Sequence, residues 1–221
     1  MKTKFFFRHP LIHPCWAFAL VVFFSLAAHG NAAPEQTPAE ITLSPLSRTA
    51  VILALGDSLT HGNGAGLSES YPAVLQEIID RTVINAGIPG EETKGGLARL
   101  PGLLKKHNPA LLILHEGAND IMRQRPVAEI VKNLKEMIAL AKEKHVEVLL
   151  VGVPDIGTSP DTASFYYDIA KQSQVPLENK AMATILSQAA LKADFIHPNA
   201  EGYRVFANAI AHLLRTRGAL P

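Results

Sequence analysis

The chain has 221 residues, of which 48% are hydrophobic and 19% charged, and a net charge of +1 at pH 7. That length suits one domain with or without a removable segment. The balance excludes a disordered chain, a collagen and a strongly basic nucleic-acid binder.

The average conceals a division near residue 33. The first 33 residues carry Lys2, Lys4 and Arg8 and no acid, together with six of the nine phenylalanines, the only tryptophan (Trp16) and the only cysteine (Cys15). An uncharged, mostly apolar run from Cys15 to Ala28 is followed by small residues at Ala28, Gly30, Ala32 and Ala33. A basic start, a short apolar stretch and a small-residue exit predict a secretory signal peptide over 1–33. The run is shorter than the roughly 20 apolar residues that a spanning helix needs, so a permanent anchor is the weaker reading. Cys15 precedes the apolar run, which argues against lipidation. Without the leader, 18 basic residues face 20 acids and no cysteine remains. The exported chain is then slightly acidic, and its stability rests on a packed core of about 188 residues. Residues 34–48, with Pro34, Pro38 and Pro45, read as a linker. The catalytic-size domain is expected over 49–217.

From residue 50 short apolar runs alternate with longer segments of helical period. Residues 50–55 form a continuous apolar run that meets a turn at Gly56-Asp57. Apolar residues at 71, 74, 75, 78 and 79 predict a helix over 71–80. A short strand is predicted over 82–84, a helix over 96–106 and a buried strand over 110–114. The clearest amphipathic segment runs over 127–145, with Ile130, Leu134, Met137 and Ile138 opposite Glu129, Lys132, Lys135 and Lys142. A strand over 146–153, a helix over 163–174, a brief strand over 175–177 and a final helix over 201–215 complete the pattern. Strands alternating with helices imply crossover units and a parallel sheet covered on both faces. The predicted class is α/β, a flavodoxin-like three-layer sandwich with about five strands. Ligands of such sheets sit beyond the carboxyl ends of the strands. That rule points to the segments 56–60, 85–93, 116–120 and 154–159.

Polar clusters stand at these strand ends. Gly56-Asp57-Ser58-Leu59-Thr60 offers a serine just past a strand, although the same residue types also make caps and turns. The segment from Asn85 to Thr93 contains Gly87 and Gly90, and glycine permits close backbone approach of an N–H to a developing anion. Gly117-Ala118-Asn119-Asp120 offers a side-chain amide as a donor. Near the C-terminus stands Asp194-Phe195-Ile196-His197-Pro198. An aspartate three residues before a histidine can hold one ring nitrogen and leave the other to take a proton from a serine.

In this order the four clusters resemble the SGNH (GDSL) hydrolase family. Gly56-Asp57-Ser58-Leu59 is similar to its first block, Gly90 to its glycine block, Gly117-Ala118-Asn119-Asp120 to its G-x-N-D block and Asp194 to His197 to its D-x-x-H block. The strings Gly96-Leu97-Ala98-Arg99-Leu100 and His197-Pro198-Asn199-Ala200-Glu201-Gly202 look like the bacterial arylesterase and thioesterase I/lysophospholipase branch. The resemblance implies a periplasmic or secreted esterase with no cofactor, and with no cysteine after the leader and no His-x-x-x-His spacing a metal site is not expected. It implies Ser58 as nucleophile, His197 as base and Asp194 as its orienting acid. The oxyanion donors would be the Ser58 and Gly90 N–H groups and the Asn119 amide. Asp57 and Asp120 are expected to tie loops together.

The expected substrate is a small acyl ester, a thioester or a lysophospholipid. The alternatives are removal of O-acetyl groups from cell-envelope polysaccharide and a catalytically inactive binding module on the same fold. A nucleotide-binding flavodoxin-like protein would need a phosphate-cradling first loop, where Asp57 places an acid instead. His61 and His115 are rival bases without an acid at suitable spacing. Arg123 and Arg125 read as a solvated loop, with an anionic head group as the other reading. Glu178-Asn179-Lys180 stands where relatives often run apolar, which leaves the lining of the acyl pocket open.

Overall fold

The computed structural model describes residues 41–155 and 161–221. The expected signal peptide, residues 34–40 of the expected linker and residues 156–159 of the expected strand-end segment 154–159 lie outside them. Five parallel strands, β1 (Val51–Gly56), β2 (Thr82–Gly87), β3 (Leu111–His115), β4 (Glu147–Val151) and β5 (Leu177–Glu178), form one sheet in the order β2-β1-β3-β4-β5. This is the flavodoxin-like order, in which the strand sequence reverses between β1 and β3 and leaves a crevice at their carboxyl ends.

Successive strand residues point to opposite faces, and the two cores follow that alternation. On one face Ile52, Ala54, Leu111, Ile113, Leu149 and Val151 pack under α2 (Tyr71–Ile79), α7 (Ala181–Leu186) and α8 (Ala200–Thr216). On the other, Leu53, Leu55, Leu112, Leu114, Val148 and Leu150 pack under α3 (Thr93–His107), α5 (Val127–Glu143) and α6 (Phe165–Ser173). The stripe read from the sequence for α5 is the buried one, with Ile130, Leu134, Met137, Ile138 and Ala141 enclosed. Tyr203, Phe206, Ile210 and Leu214 of α8 are buried too. Truncating one such aromatic, as in Phe206→Ala, would cost about 3–5 kcal/mol.

The domain is longer at both ends than the sequence pattern predicts. Residues 41–48 are not free linker. The Leu43 N–H donates to the Arg217 carbonyl (2.8 Å), the Leu46 N–H donates to the Ala219 carbonyl (2.9 Å), and both leucines are buried. Ala219 and Leu220 are buried with them. The prolines and hydroxyl residues around Leu43 and Leu46 obscured two isolated apolar anchors that no periodicity reveals. Three short helices also went unpredicted: α1 (Ser58–His61), α4 (Ala118–Met122) and α7. Each has six residues or fewer, too few for a period to register. β5 lies at 177–178 rather than 175–177, because Pro176 supplies a carbonyl, but no N–H, to the Leu150 N–H at the sheet edge (3.0 Å).

Candidate active site

The sheet register brings three loops to one level. Gly56 at the end of β1 pairs with Gly87 of β2 on one side and His115 of β3 on the other. The segments that follow, beginning at Asp57, Ile88 and Glu116, therefore leave the sheet side by side. Asp57 caps α1, its Oδ1 accepting the Leu59 N–H (2.9 Å). Ser58 is thus the first residue of a helix, with its side chain at the mouth of the crevice.

The fourth cluster reaches Ser58 from the N-terminal side of α8. Asp194 Oδ1 accepts the N–H groups of Ile196 (2.9 Å) and His197 (2.8 Å), which curls the segment around its own carboxylate. Asp194 Oδ2 lies 2.7 Å from His197 Nδ1, and His197 Nε2 lies 3.0 Å from Ser58 Oγ. Two contacts hold this loop against the nucleophile loop. Tyr203 of α8 donates its hydroxyl to the Asn63 carbonyl (2.7 Å). Gly64 meets the 197–198 backbone so closely that a Cβ there would lie 2.4 Å from the Pro198 carbonyl oxygen. The His197 hydrogen bond and the two N–H groups hold Asp194 down at about 2. Its carboxylate therefore stays charged opposite the imidazole through the acid range.

Asn119, in the first turn of α4, is nearly buried. Its Nδ2 donates to Asp57 Oδ2 (3.2 Å). An amide nitrogen carries two hydrogens, so a second donor remains for a ligand. Asp57 is buried. Desolvation pushes its carboxyl up to about 6, against the pull of the Leu59 N–H and of His197. Asp120 also links loops, its Oδ2 accepting the Thr93 N–H (2.8 Å) and its Oδ1 the Thr93 hydroxyl (2.7 Å). Gly90 lies in the exposed loop after β2, and its N–H has no acceptor among the described residues. Behind Asn119 the backbone turns at Gly117, whose φ of 119° favours glycine. Tyr166, buried in α6, donates its hydroxyl to the Glu116 carbonyl just before that turn (2.6 Å).

Beside Ser58 a cleft is lined by Leu59, Ala118, Met122, Val153, Pro154, Met182, Leu186 and Ile196. The sequence leaves the lining of this pocket open, and it is apolar. Met182 and Leu186 come from α7, a helix the sequence reading missed. Glu178 does not face the cleft; its carboxylate accepts the N–H groups of Lys180 (3.1 Å) and Ala181 (3.0 Å) at the start of α7. Phe195, between Asp194 and Ile196, is 93% exposed.

The rival residues are placed elsewhere. His115 is buried against the rings of Tyr71 and Phe206 (centroids 6.4 and 5.2 Å away), and neither ring nitrogen has a hydrogen-bond partner. His61 shares a hydrogen bond with Asn63 (3.1 Å). Arg123 and Arg125 are both paired with the one carboxylate of Glu92 (3.0 Å each), which offsets one of their two charges. Among the described residues no three histidine, cysteine, aspartate or glutamate side chains converge as metal ligands. Nor is any described helix long and apolar enough to cross a membrane.

The sequence model of the GDSL-like lipase/acylhydrolase family matches residues 54–205. The chain is 32% identical over 209 residues to an arylesterase of Vibrio mimicus, covering 89% of this chain and 96% of that one. It is 31% identical over 172 residues to thioesterase 1/protease 1/lysophospholipase L1 of Escherichia coli K12, covering 74% and 83%. Among solved structures it resembles the psychrotrophic esterase EstA of a Pseudoalteromonas species, inhibited by monoethylphosphonate (TM-score 0.68, 26% identity, 76% of this chain and 97% of that one). It resembles TesA equally well (TM-score 0.68, 28% identity, 76% and 99%).

Proposed function

The chain belongs to the GDSL-like lipase/acylhydrolase family, and from that premise we propose that it is a serine esterase working through Ser58, His197 and Asp194. The observation that carries this reading is the bridging imidazole, 2.7 Å from Asp194 and 3.0 Å from Ser58. Ser58 Oγ attacks the substrate carbonyl while His197 Nε2 takes its proton. Asp194 fixes the tautomer and stabilises the imidazolium. The oxyanion of the tetrahedral intermediate accepts from the Ser58 and Gly90 N–H groups and from the free Asn119 hydrogen. Collapse expels the alcohol or thiol, which leaves with the proton from His197. Water, deprotonated by the same imidazole, then releases the acid from the acyl-Ser58 ester.

The apolar cleft beside Ser58 takes the acyl chain, with Met122, Met182 and Leu186 along it. The apolar lining favours short or medium acyl esters, thioesters or lysophospholipids over O-acetyl groups on polysaccharide. A panel of esters and thioesters graded from acetyl upwards tests this. Rising kcat/KM with chain length supports the acyl-cleft reading. A maximum at acetyl would favour the O-acetyl reading instead.

Export belongs to the same proposal. Cleavage near residues 30–33 removes Trp16 and Cys15. The exported protein should therefore lack tryptophan emission and free thiol, and its intact mass should lack the leader. A full-length mass in the soluble pool would refute it.

A further inference from the structure

The three loops that would supply the oxyanion donors converge on one side chain outside the reaction scheme. Arg99 lies in α3, and its guanidinium points back toward the carboxyl ends of the strands. Its Nε donates to both carboxylate oxygens of Glu91 (2.9 Å each), and its Nη2 also bonds Glu91. The same Nη2 donates to the Gly56 carbonyl (3.3 Å) and lies 3.9 Å from Glu116 Oε1. Gly56 stands two residues before Ser58. Glu91 directly follows Gly90. Glu116 stands three residues before Asn119. One guanidinium therefore touches a near neighbour of each donor, on loops that leave three different strands.

The surroundings make these contacts stiff. The Arg99 side chain is 21% exposed, Glu91 9% and Glu116 not at all. Both carboxyl oxygens of Glu116 are buried without a hydrogen-bond partner. Burial, reinforced by the charges of Asp57 and Glu91, pushes that carboxyl well above its ordinary range. Glu116 packs directly on Gly96, one turn before Arg99 in α3, where a Cβ would lie 2.8 Å from Oε1. A planar guanidinium can bond a carboxylate through two nitrogens and still present a third donor direction to a carbonyl. A lysine ammonium in its place keeps the charge and loses that fork.

We propose that Arg99 is a positioning residue of the oxyanion hole, hydrogen-bonding the nucleophile and glycine loops to one guanidinium that also abuts the Glu116 carboxyl of the asparagine loop. The role rests on the oxyanion reading given above. It acts through Gly56, Glu91 and Glu116, without touching substrate. Without the fork, the Glu91 side chain loses its anchor, and with it the support for the Gly90 N–H next to it. Misplacement of about 1 Å in such a site can cost on the order of 10²-fold in rate.

The test uses the exported chain with Arg99→Lys, Arg99→Met, Glu91→Gln and Asn119→Ala, and the Arg99→Lys/Asn119→Ala double variant. The measurements are kcat and KM on a short-chain ester, the rate of inactivation by a phosphonate, and near-UV circular dichroism for folding. Asn119→Ala should lower kcat about 10²–10³-fold. Arg99→Lys should lower kcat and phosphonate inactivation together by about 10–10²-fold, with KM within about twofold. The double variant should lose less than the product of the singles, because both changes act on one donor set. A residue that served stability alone would lower the melting temperature and leave kcat per folded molecule unchanged. Should the Arg99 variants fail to fold, Glu91→Gln carries the test, with a several-fold fall in kcat expected at unchanged KM. Loss in Asn119→Ala beside wild-type kcat in folded Arg99→Lys and Arg99→Met, or in Glu91→Gln where those two do not fold, overturns the role of Arg99 alone. Wild-type kcat in Asn119→Ala overturns the oxyanion reading and the role of Arg99 with it.

Discussion

His115→Leu should stabilise the protein, and the gain should grow in acid. The imidazole is fully enclosed at the end of β3, edge-on to Tyr71 and Phe206. Neither nitrogen has a hydrogen-bond partner. Burial depresses its pKa to about 3, whereas a histidine in the unfolded chain titrates near 6.5. The folded state therefore keeps the neutral ring while the unfolded chain takes up a proton. Its contribution to stability is intact above about pH 6.5 and falls by about 1.4 kcal/mol per pH unit down to about pH 3. Between pH 8 and pH 5 the loss is about 2 kcal/mol. Leucine has similar bulk and no proton to bind, so the variant escapes that loss. Removing the unsatisfied polar atoms adds a pH-independent gain of about 1–3 kcal/mol. Urea unfolding of wild type and variant at pH 8 and pH 5 isolates the difference, since all other titrating groups are shared. The variant's advantage should widen by about 2 kcal/mol at pH 5, or about 4–8 °C in melting temperature. Identical pH dependence in the two proteins would refute a buried neutral imidazole at 115.

A fluorophosphonate should label wild-type protein at Ser58, while Ser58→Ala should lose both labelling and ester hydrolysis with its circular dichroism unchanged; labelling of Ser58→Ala at the wild-type rate would place the nucleophile elsewhere. Asp194→Asn should cut kcat by up to about 10⁴-fold, because the amide allows the wrong imidazole tautomer. Since Asp194 stays charged to about pH 2, the acid fall in kcat/KM should not come from Asp194, and a profile flat to pH 4 would contradict the role of His197 as base. Met182→Trp or Leu186→Trp should shorten the preferred acyl chain, lowering kcat/KM for the longest good substrate by about tenfold or more. The acetyl ester should stay within about twofold, and an equal loss on all chain lengths would remove these residues from the acyl cleft.

The layering, and the candidate positions for the chemistry, are legible along the chain. Apolar runs at the strands and 3.6-residue stripes such as Ile130-Leu134-Met137-Ile138 specify a covered parallel sheet, because both patterns reflect burial directly. The polar clusters at 56–60, 116–120 and 194–198 were legible because each joins reactive residue types at short spacing beside a strand or helix end. What lay beyond the sequence depends on contacts distant along the chain. Leu43 and Leu46 dock on the 217–220 segment with no local period to announce them. The apolar cleft takes Met182 and Leu186 from a one-and-a-half-turn helix too short to register. His115 looked like a rival base until the register of β3 turned it inward onto Phe206. The convergence of Arg99 on Gly56, Glu91 and Glu116 spans residues 56 to 116. Local propensity cannot encode it; only the side-by-side exit of β1, β2 and β3 brings those loops within reach of one guanidinium.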